Sequence, residues 1–481
     1  MIGIHWRWHR LAATAAYCSV LLLTGLSVNI LGPAGPSLMK HLRSATTEVG
    51  AVFSAEGLGN FVGSALAGPI LARYKAHRII AIAAVVVFVC VGAVPSCSAL
   101  AHVVFLYLFV GAASGLANTA SNTMVTWAWR GSAGTLGAVL NLVNACFPLG
   151  GSTAPFLVLL CERRVGNSLV SFSCISVFAL LPCANAMLLE TPAAPPAPPV
   201  DLPSPPKRAD SFGGSSALGS SAVCGIDLGS RRAYVRWTVL APLLTTIWLC
   251  IGAEIAYAAW IYTYATHCAS MRSEEAAYLT SLYWSSFTVA RLAATPLAAY
   301  VSPGAILVPA LALEVFSLLS LAALPPTGFT LWVGTIGAGI GISVLFSNVL
   351  SLLARYGLLS TRVTGAMGAA AAIGHMTIPS LAGMSIDRLG YDSLLPLLAV
   401  INSVGFVLTA MVVLHLHASF QPVGSTSTLP PGSPETIPLN PFKAGTAKRS
   451  ADLEGDGWEL QNGRNGTHRR HDIDREEAIA I

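Results

Sequence analysis

The sequence predicts an all-α integral membrane protein whose twelve transmembrane helices form two pseudo-symmetric six-helix halves. Composition is the first observation: 54% of the 481 residues are hydrophobic and 10% are charged, whereas soluble domains have about 25% charged residues. The second is that apolar runs able to cross a hydrocarbon core of about 30 Å recur from about residue 11 to residue 416. The third is a sequence repeat between the two sets of six runs.

Each apolar run is bounded by charged residues or by Pro and Gly, which mark loops. The first run follows Arg7 and Arg10 and has no small-residue cleavage site before Gly32. We therefore expect a signal-anchor helix that stays in the mature protein. The predicted spans are residues 11–32, 47–72, 77–96, 100–127, 132–160, 168–189, 237–265, 274–301, 304–324, 328–354, 361–384 and 393–415.

Two polar segments divide the chain. Residues 191–235 are rich in Pro, Ser and Gly, and residues 417–481 are polar, so both are predicted to be disordered because neither can bury a core. The N-terminal half then covers residues 1–190, and the C-terminal half covers residues 236–416. The distribution of Lys and Arg predicts that the N-terminus, the linker and the tail lie in the cytoplasm.

Motifs in the fourth and fifth helices recur in the tenth and eleventh. The glycines in these motifs allow close helix contacts, and the prolines allow bending. Two halves repeated in the same orientation are expected to rock about a site near the membrane midplane. Gly111-Ala112-x2-Gly115 followed by Ser121-Asn122 recurs as Gly337-Ala338-x2-Gly341 followed by Ser347-Asn348, and Gly150-x2-Thr153-x-Pro155 recurs as Gly374-x2-Thr377-x-Pro379.

The seventh helix carries an acid and several aromatic residues inside the apolar run Gly252–Ala265. At helical spacing Glu254, Tyr257 and Tyr264 share one face, and Trp260 lies at its edge. Acids inside a membrane usually face a substrate or ion pathway, so we interpret these four residues as one wall of a solute site. The alternative is a carboxylate satisfied by neighbouring hydroxyl groups, with no ligand.

Carboxamides are the other polar groups expected at membrane depth. They donate and accept hydrogen bonds, which suits a neutral polyhydroxy solute. The alternative is hydrogen bonding between helices, which repeat symmetry favours for Asn122 and Asn348. The predicted solute ligands of this type are Asn29, Asn118, Asn122, Asn141 and Asn144.

Ionisable residues inside the helices are candidates for binding and for ion coupling. Arg291 lies well inside the eighth helix, where an unpaired guanidinium is costly, and it is expected either to pair with Glu254 or to contact the solute directly. Such a pair would also serve as a gate. We predict Glu254, Glu56 and His375 as coupling groups, since imidazole titrates near neutral pH. Glu314 is interpreted as structural.

Sequence motifs of other function classes are missing from the chain. There is no Walker loop, no HExxH, no GxSxG and no Cys/His metal spacing, so no catalytic residue, metal or cofactor is expected and the protein is not predicted to be an enzyme. The ten cysteines are scattered and show no metal-type spacing. The net charge of +5 is modest, which argues against a nucleic-acid partner. The expected partners are a small-molecule substrate, a proton or sodium co-substrate and the lipid bilayer, and we expect a monomer in the plasma membrane or an endomembrane.

The motifs resemble those of the fucose permease and sodium-dependent glucose transporter branch of the major facilitator superfamily. This resemblance covers both halves but neither the linker nor the tail, and it implies transport of a monosaccharide by alternating access. The stretches that carry it are Gly252-Ala-Glu254-x2-Tyr257-x2-Trp260-Ile261-x-Thr263-Tyr264-Ala265, Gly115-x2-Asn118-Thr119-x2-Asn122, Leu140-Asn141 ahead of Gly150 and Pro155, and Tyr283-Trp284 ahead of Arg291 and Pro296.

Two positions and one loop motif depart from that branch. Asn118 stands where the branch commonly has an Asp in the fourth helix, and Asn141 stands where it tends to have a His. The basic loop motif after the second helix survives only as Gly68-x4-Arg73-x-Lys75-x2-Arg78. Without the fourth-helix acid, the coupling group is expected to be Glu254 or Glu56, or there is no coupling.

The sequence thus predicts a transporter of a small neutral polar solute, such as a hexose or a fucose-like sugar, that works by alternating access. Coupling to a proton or sodium gradient and facilitated diffusion both stay open. One alternative is transport of an organic anion or drug-like solute, which an unpaired Arg291 in the cavity would favour. The other is a transporter-like sensor or scaffold that signals through the linker and the tail.

Overall fold

A computed structural model describes residues 2–129, 133–192, 236–298, 300–359 and 361–419. Nearly all of the predicted linker and tail, at 193–235 and 420–481, lies outside the described residues. Twelve membrane helices, α1 to α12, confirm the predicted fold class, and the last one reaches three residues beyond residue 416. They are α1 Ile2–Asn29 continuing as Leu31–Leu42, α2 Thr46–Leu71, α3 Ala76–Ala93, α4 Leu100–Ala128, α5 Ala133–Val165, α6 Val170–Phe178 and Leu180–Leu188, α7 Ala241–His267, α8 Ser273–Leu297, α9 Pro303–Ala323, α10 Gly328–Ile342 and Leu345–Arg355, α11 Thr361–Leu389, and α12 Leu394–Ser419.

Helix α1 is longer than predicted. The sequence pattern ends it at residue 32, whereas the structure bends it at Ile30 and continues it to Leu42. Pro33 and Pro36 have no N–H group, so the carbonyls four residues earlier lose their helical partner and the helix bends there. The first of these prolines lies in the opening turn of the second segment, where a missing N–H costs little. Proline here marks a bend rather than a helix end.

Ten of the described helices are long and apolar enough to cross a membrane by length and composition alone. The other two are α2 and α8, which carry more charged residues. Helix α2 contains Glu48 and Glu56. Helix α8 contains Glu274, Glu275 and Arg291. Both polar helices lie where the two halves meet: α2 packs against α11, and α8 packs against α5. Glu56, inside α2, is fully buried by protein rather than exposed to lipid, whereas Glu48, Glu274 and Glu275 lie in the first turns of these helices.

Because the twelve helices alternate in direction, their ends fall on two faces of the membrane. We call the face where α6 ends and α7 begins the linker face, and the opposite one the far face. The second segment of α1 packs on α7 toward the far face, and an ion pair joins Arg163 of α5 to Glu274 of α8 there. The Ser54 hydroxyl of α2 donates to the Met376 carbonyl oxygen of α11 at 2.8 Å. The halves are thus closed against each other on the far-face side.

Candidate solute site

A cavity of about 360 Å³ lies between the halves, toward the linker face. Its volume is within the range of about 300–1,000 Å³ that is usual for small-molecule sites. Polar side chains from α5, α8 and α10 line it together with a few apolar ones. The polar lining consists of Asn141 and Asn144, Arg291 and Thr295, and Ser347, Asn348 and Ser351.

Three of the predicted amides form one hydrogen-bonded chain. Asn144 Nδ2 of α5 donates to Asn122 Oδ1 of α4 at 2.8 Å, and Asn122 Nδ2 donates to Asn118 Oδ1 at 2.7 Å. The chain begins at the cavity wall and ends inside the N-terminal half, so only Asn144 of these three lines the cavity. Asn122 uses both ends of its amide within the chain, as expected of a residue that joins helices.

Asn141 connects the two halves. Its Nδ2 donates to Thr295 Oγ1 of α8 at 3.1 Å, and both residues lie in the cavity wall. This hydrogen bond runs between α5 and α8 on the side where the halves are less closely packed. The donor of this bond comes from the N-terminal half and the acceptor from the C-terminal half, and both lie next to the space that a solute would fill.

Arg291 does not pair with Glu254. No ion pair joins the two side chains in the described parts of the chain, although they interact electrostatically. Arg291 Nε instead donates to the Ser343 carbonyl oxygen at 3.0 Å, and the guanidinium lies 4.5 Å from the centre of the Phe287 ring. Ser343 lies in the break between the two segments of α10, after a run of glycines, and breaks of this kind leave backbone carbonyls available to side chains.

The predicted wall on α7 does not line this cavity. Tyr257 OH lies 2.7 Å from Thr335 Oγ1, and Trp260 Nε1 donates to the Pro379 carbonyl oxygen of α11 at 3.0 Å. Glu254 and Tyr264 are buried as well. Tyr257 and Trp260 are thus covered by partners on α10 and α11 of their own half, a property of tertiary packing that helical spacing does not reveal.

Asn29 also lies away from the cavity. Its Nδ2 donates to the Gly25 carbonyl oxygen one turn earlier in α1, at 2.9 Å, and the side chain is buried. It stands next to the bend at Ile30. In this conformation the amide bonds the backbone of its own helix and does not line the cavity.

The predicted coupling residues Glu56 and His375 are in contact. Glu56 Oε2 of α2 and His375 Nε2 of α11 lie 2.8 Å apart, and the carboxylate is fully buried. The approach has the distance of an ion pair but not the alignment of a hydrogen bond, and within the described chain the carboxylate has no other donor. His375 also interacts electrostatically with Glu254. The three predicted coupling groups therefore form one charged network between the halves.

Several lining residues were not predicted from the sequence. Thr295 follows Arg291 by four residues, and Ser347 and Ser351 are four apart on either side of Asn348. The signal was the i, i+4 spacing of hydroxyl groups along a helix face. Single Ser and Thr residues satisfy their own helix backbone so often in membranes that the spacing alone is weak evidence for a site.

Comparison with known proteins identifies relatives of most of the helical region. The family model described as Major Facilitator Superfamily matches residues 17–379. Sodium-dependent glucose transporter 1 of Xenopus laevis is 23% identical over 382 residues, which cover 74% of this chain and 72% of that protein. The human protein of the same name is 24% identical over 400 residues, covering 76% and 72%. Among solved structures, a point mutant of the nucleoside transporter NupG superposes with a TM-score of 0.63 at 13% identity, covering 84% of this chain and 99% of that one.

Proposed function

The chain belongs to the Major Facilitator Superfamily, and from this premise we propose that it carries a monosaccharide across a membrane by alternating access. The observation that carries the proposal is the cavity between the halves. Its amide and hydroxyl groups each donate and accept hydrogen bonds, as the hydroxyl groups of a sugar require. The relatives named sodium-dependent glucose transporter support a hexose as the substrate.

The packing of the halves supports a rocking mechanism. The far-face side is closed through α1 on α7, α2 on α11 and α5 on α8, while the cavity lies on the linker-face side. Alternating access would open the far-face contacts and close the cavity wall. We propose that the linker face is cytoplasmic, so that the described state faces inward, and that the transporter works as a monomer because one chain supplies both halves.

Ion coupling is proposed to act through the network of Glu254, Glu56 and His375. The Glu56 to His375 contact bridges α2 and α11, so it has to break when the far-face side opens. A proton or a sodium ion that changes the charge of this network would therefore bias the two conformations differently. The loss of the usual fourth-helix acid leaves this network as the proposed coupling element.

An organic anion is the second candidate substrate. Arg291 lines the cavity, and its guanidinium is bound by a backbone carbonyl rather than neutralised by a carboxylate. A cavity lined by a positive charge that forms no direct ion pair attracts anions. The lining otherwise consists of neutral amides and hydroxyls, which favours a neutral solute with Arg291 as one hydrogen-bond donor.

Uptake by the full-length protein in proteoliposomes tests the proposal. Labelled glucose and fucose should exchange across the membrane, and Ser351→Ala should raise the KM by up to about tenfold because a hydrogen bond in the cavity is lost. Ser320→Ala is the matched control, since both hydroxyls bond the carbonyl four residues earlier but Ser320 lies on the exposed surface of α9. If no sugar is exchanged and anion uptake is saturable and depends on Arg291, the substrate is an organic anion and not a sugar.

A further inference from the structure

A second, much smaller cavity lies inside the C-terminal half. Its volume is about 10 Å³, which is about the space that one water molecule or small ion needs. Helices α7, α8, α9, α10 and α12 enclose it, and it shares no lining residue with the solute cavity. Its lining is Ala253, Tyr257, Tyr283, Glu314, Leu318, Ala338, Leu398 and Asn402.

Two buried oxygen atoms of this lining have no partner. Glu314 Oε2 and Asn402 Oδ1 receive no hydrogen bond from the described residues, and the two side chains are 3% and 2% exposed. Asn402 Nδ2 donates to the Leu398 carbonyl oxygen at 2.9 Å, which leaves the amide oxygen as the free end. Buried acceptors are almost always satisfied, so this cavity calls for an occupant that interacts with oxygen.

The charge of the site points to a cation. The charged group that acts on Glu314 electrostatically is Glu254, another acid. A water molecule would donate hydrogen bonds to both free oxygens but would leave the buried carboxylate without a counter-charge. Divalent cations take several carboxylates or keep much of their water, whereas this cavity has one carboxylate and the space of a single water. The lining therefore fits a small monovalent cation.

We propose that this cavity is a sodium site in which the Glu314 carboxylate and the Asn402 amide oxygen are the main ligands, with the phenolic oxygens of Tyr257 and Tyr283 beside them. This inference rests on the proposed transport function only where it concerns coupling. Tyr257 stands one turn from Glu254 on α7, the helix that packs against the second segment of α1. A cation held between α7, α9 and α12 would fix α7 in one orientation and reduce the repulsion between the two acids.

The thermal unfolding of the purified full-length protein, in the absence of any sugar, tests the site. A ligand that binds the folded state raises the Tm in a saturable way, so the wild-type Tm should rise with NaCl but not with choline chloride at equal ionic strength. Glu314→Gln should abolish the sodium effect, and Asn402→Ala should raise the half-saturating sodium concentration by about tenfold. Ser317→Ala, a buried hydroxyl on the same helix that does not line the cavity, should respond like the wild type.

Glu254→Gln separates the two acids, because sodium should still stabilise this variant. A sodium-dependent rise in the Tm of Glu314→Gln equal to that of the wild type would overturn the site. A second combination of results would also overturn the site: a wild-type Tm that does not change with sodium, together with a higher Tm for Glu314→Gln. The cavity would then hold a protonated acid.

Should Glu314→Gln fail to fold, Glu314→Asp keeps the charge but withdraws the carboxylate by one methylene. An unchanged half-saturating concentration in that variant would contradict the assignment. Because no sugar is present in this assay, a negative result in sugar uptake leaves the sodium measurement interpretable.

Discussion

Arg291 Nε donates a hydrogen bond of 3.0 Å to the backbone carbonyl oxygen of Ser343. The bond joins the last third of α8 to the break in α10, so a charged side chain is anchored to a helix at the point where its regular hydrogen bonding is interrupted. The guanidinium stacks on Phe287 at the same time. Arg291 therefore fixes the wall of the solute cavity at the point where α10 is able to bend.

The planar guanidinium of Arg291 is expected to contribute more to transport than its positive charge does. Arg291→Lys keeps the charge but has no Nε group and stacks less well on Phe287. We expect sugar uptake in proteoliposomes to fall about tenfold or more, since hydrogen bonds of charged groups contribute about 1.5–3 kcal/mol. Arg272→Lys is the control, because Arg272 precedes the same helix and is exposed to solvent. Wild-type uptake by Arg291→Lys would show that a cation alone is sufficient.

The hydrogen-bonded amide chain distinguishes Asn122, which joins helices, from Asn141, which lines the cavity. Asn122→Ala removes the acceptor of Asn144 and the donor to Asn118, and it should lower the free energy of unfolding by about 0.6–2 kcal/mol. Asn141→Ala loses only the bond to Thr295 at the cavity, so we expect a raised KM with a smaller change in stability. Thermal unfolding and uptake kinetics of both variants check this. A raised KM without destabilisation in Asn122→Ala would return that residue to the solute site.

The sequence predicts the helices better than it predicts which groups the side chains contact. Twelve apolar runs and the repeat of Gly111 in Gly337 are local patterns, and the structure confirms the helices that they predict. Arg291 and Asn141, two of the predicted solute-binding residues, line the cavity, and binding of a solute by them stays a prediction. The partner of Arg291 is a backbone carbonyl, however, and no side-chain pattern marks it. The covering of Tyr257 and Trp260 depends on their contacts with α10 and α11, which the residue pattern of α7 alone does not encode.

The Glu56 to His375 contact is expected to stabilise the closed far-face side. Removing one partner of a buried pair leaves the other uncompensated, at a cost of about 3–5 kcal/mol. Glu56→Gln should therefore lower the Tm strongly, whereas adding His375→Gln should recover part of the loss. A double-mutant cycle on thermal unfolding measures the coupling. Ser54→Ala, at the same contact of α2 and α11, controls for general damage, and strictly additive effects of the two substitutions would argue against the pair.

Two glycines three residues apart in α1 provide a test of the closed interface. A Cβ atom at Gly32 would lie 2.8 Å from the Ala258 carbonyl oxygen of α7, whereas one at Gly35 would meet nothing within 4 Å. Gly32→Ala should therefore push α1 from α7 and shift the transporter away from the state that is closed on the far-face side, because backbone cannot yield as a flexible side chain does. Gly35→Ala changes the same chemical group in the same segment and should leave the equilibrium unchanged.

Electron paramagnetic resonance distances between spin labels on the far-face ends of α1 and α7, in a chain freed of its native cysteines, measure this shift. Longer distances are expected for Gly32→Ala, together with lower uptake, while Gly35→Ala should match the parent chain. Equal distances in the two variants would mean that α1 and α7 separate little during transport. The α2 to α11 and α5 to α8 contacts would then have to open the far-face side, and Gly57→Ala, whose Cβ atom would lie 2.9 Å from the Met376 backbone nitrogen, would become the variant that shifts the equilibrium.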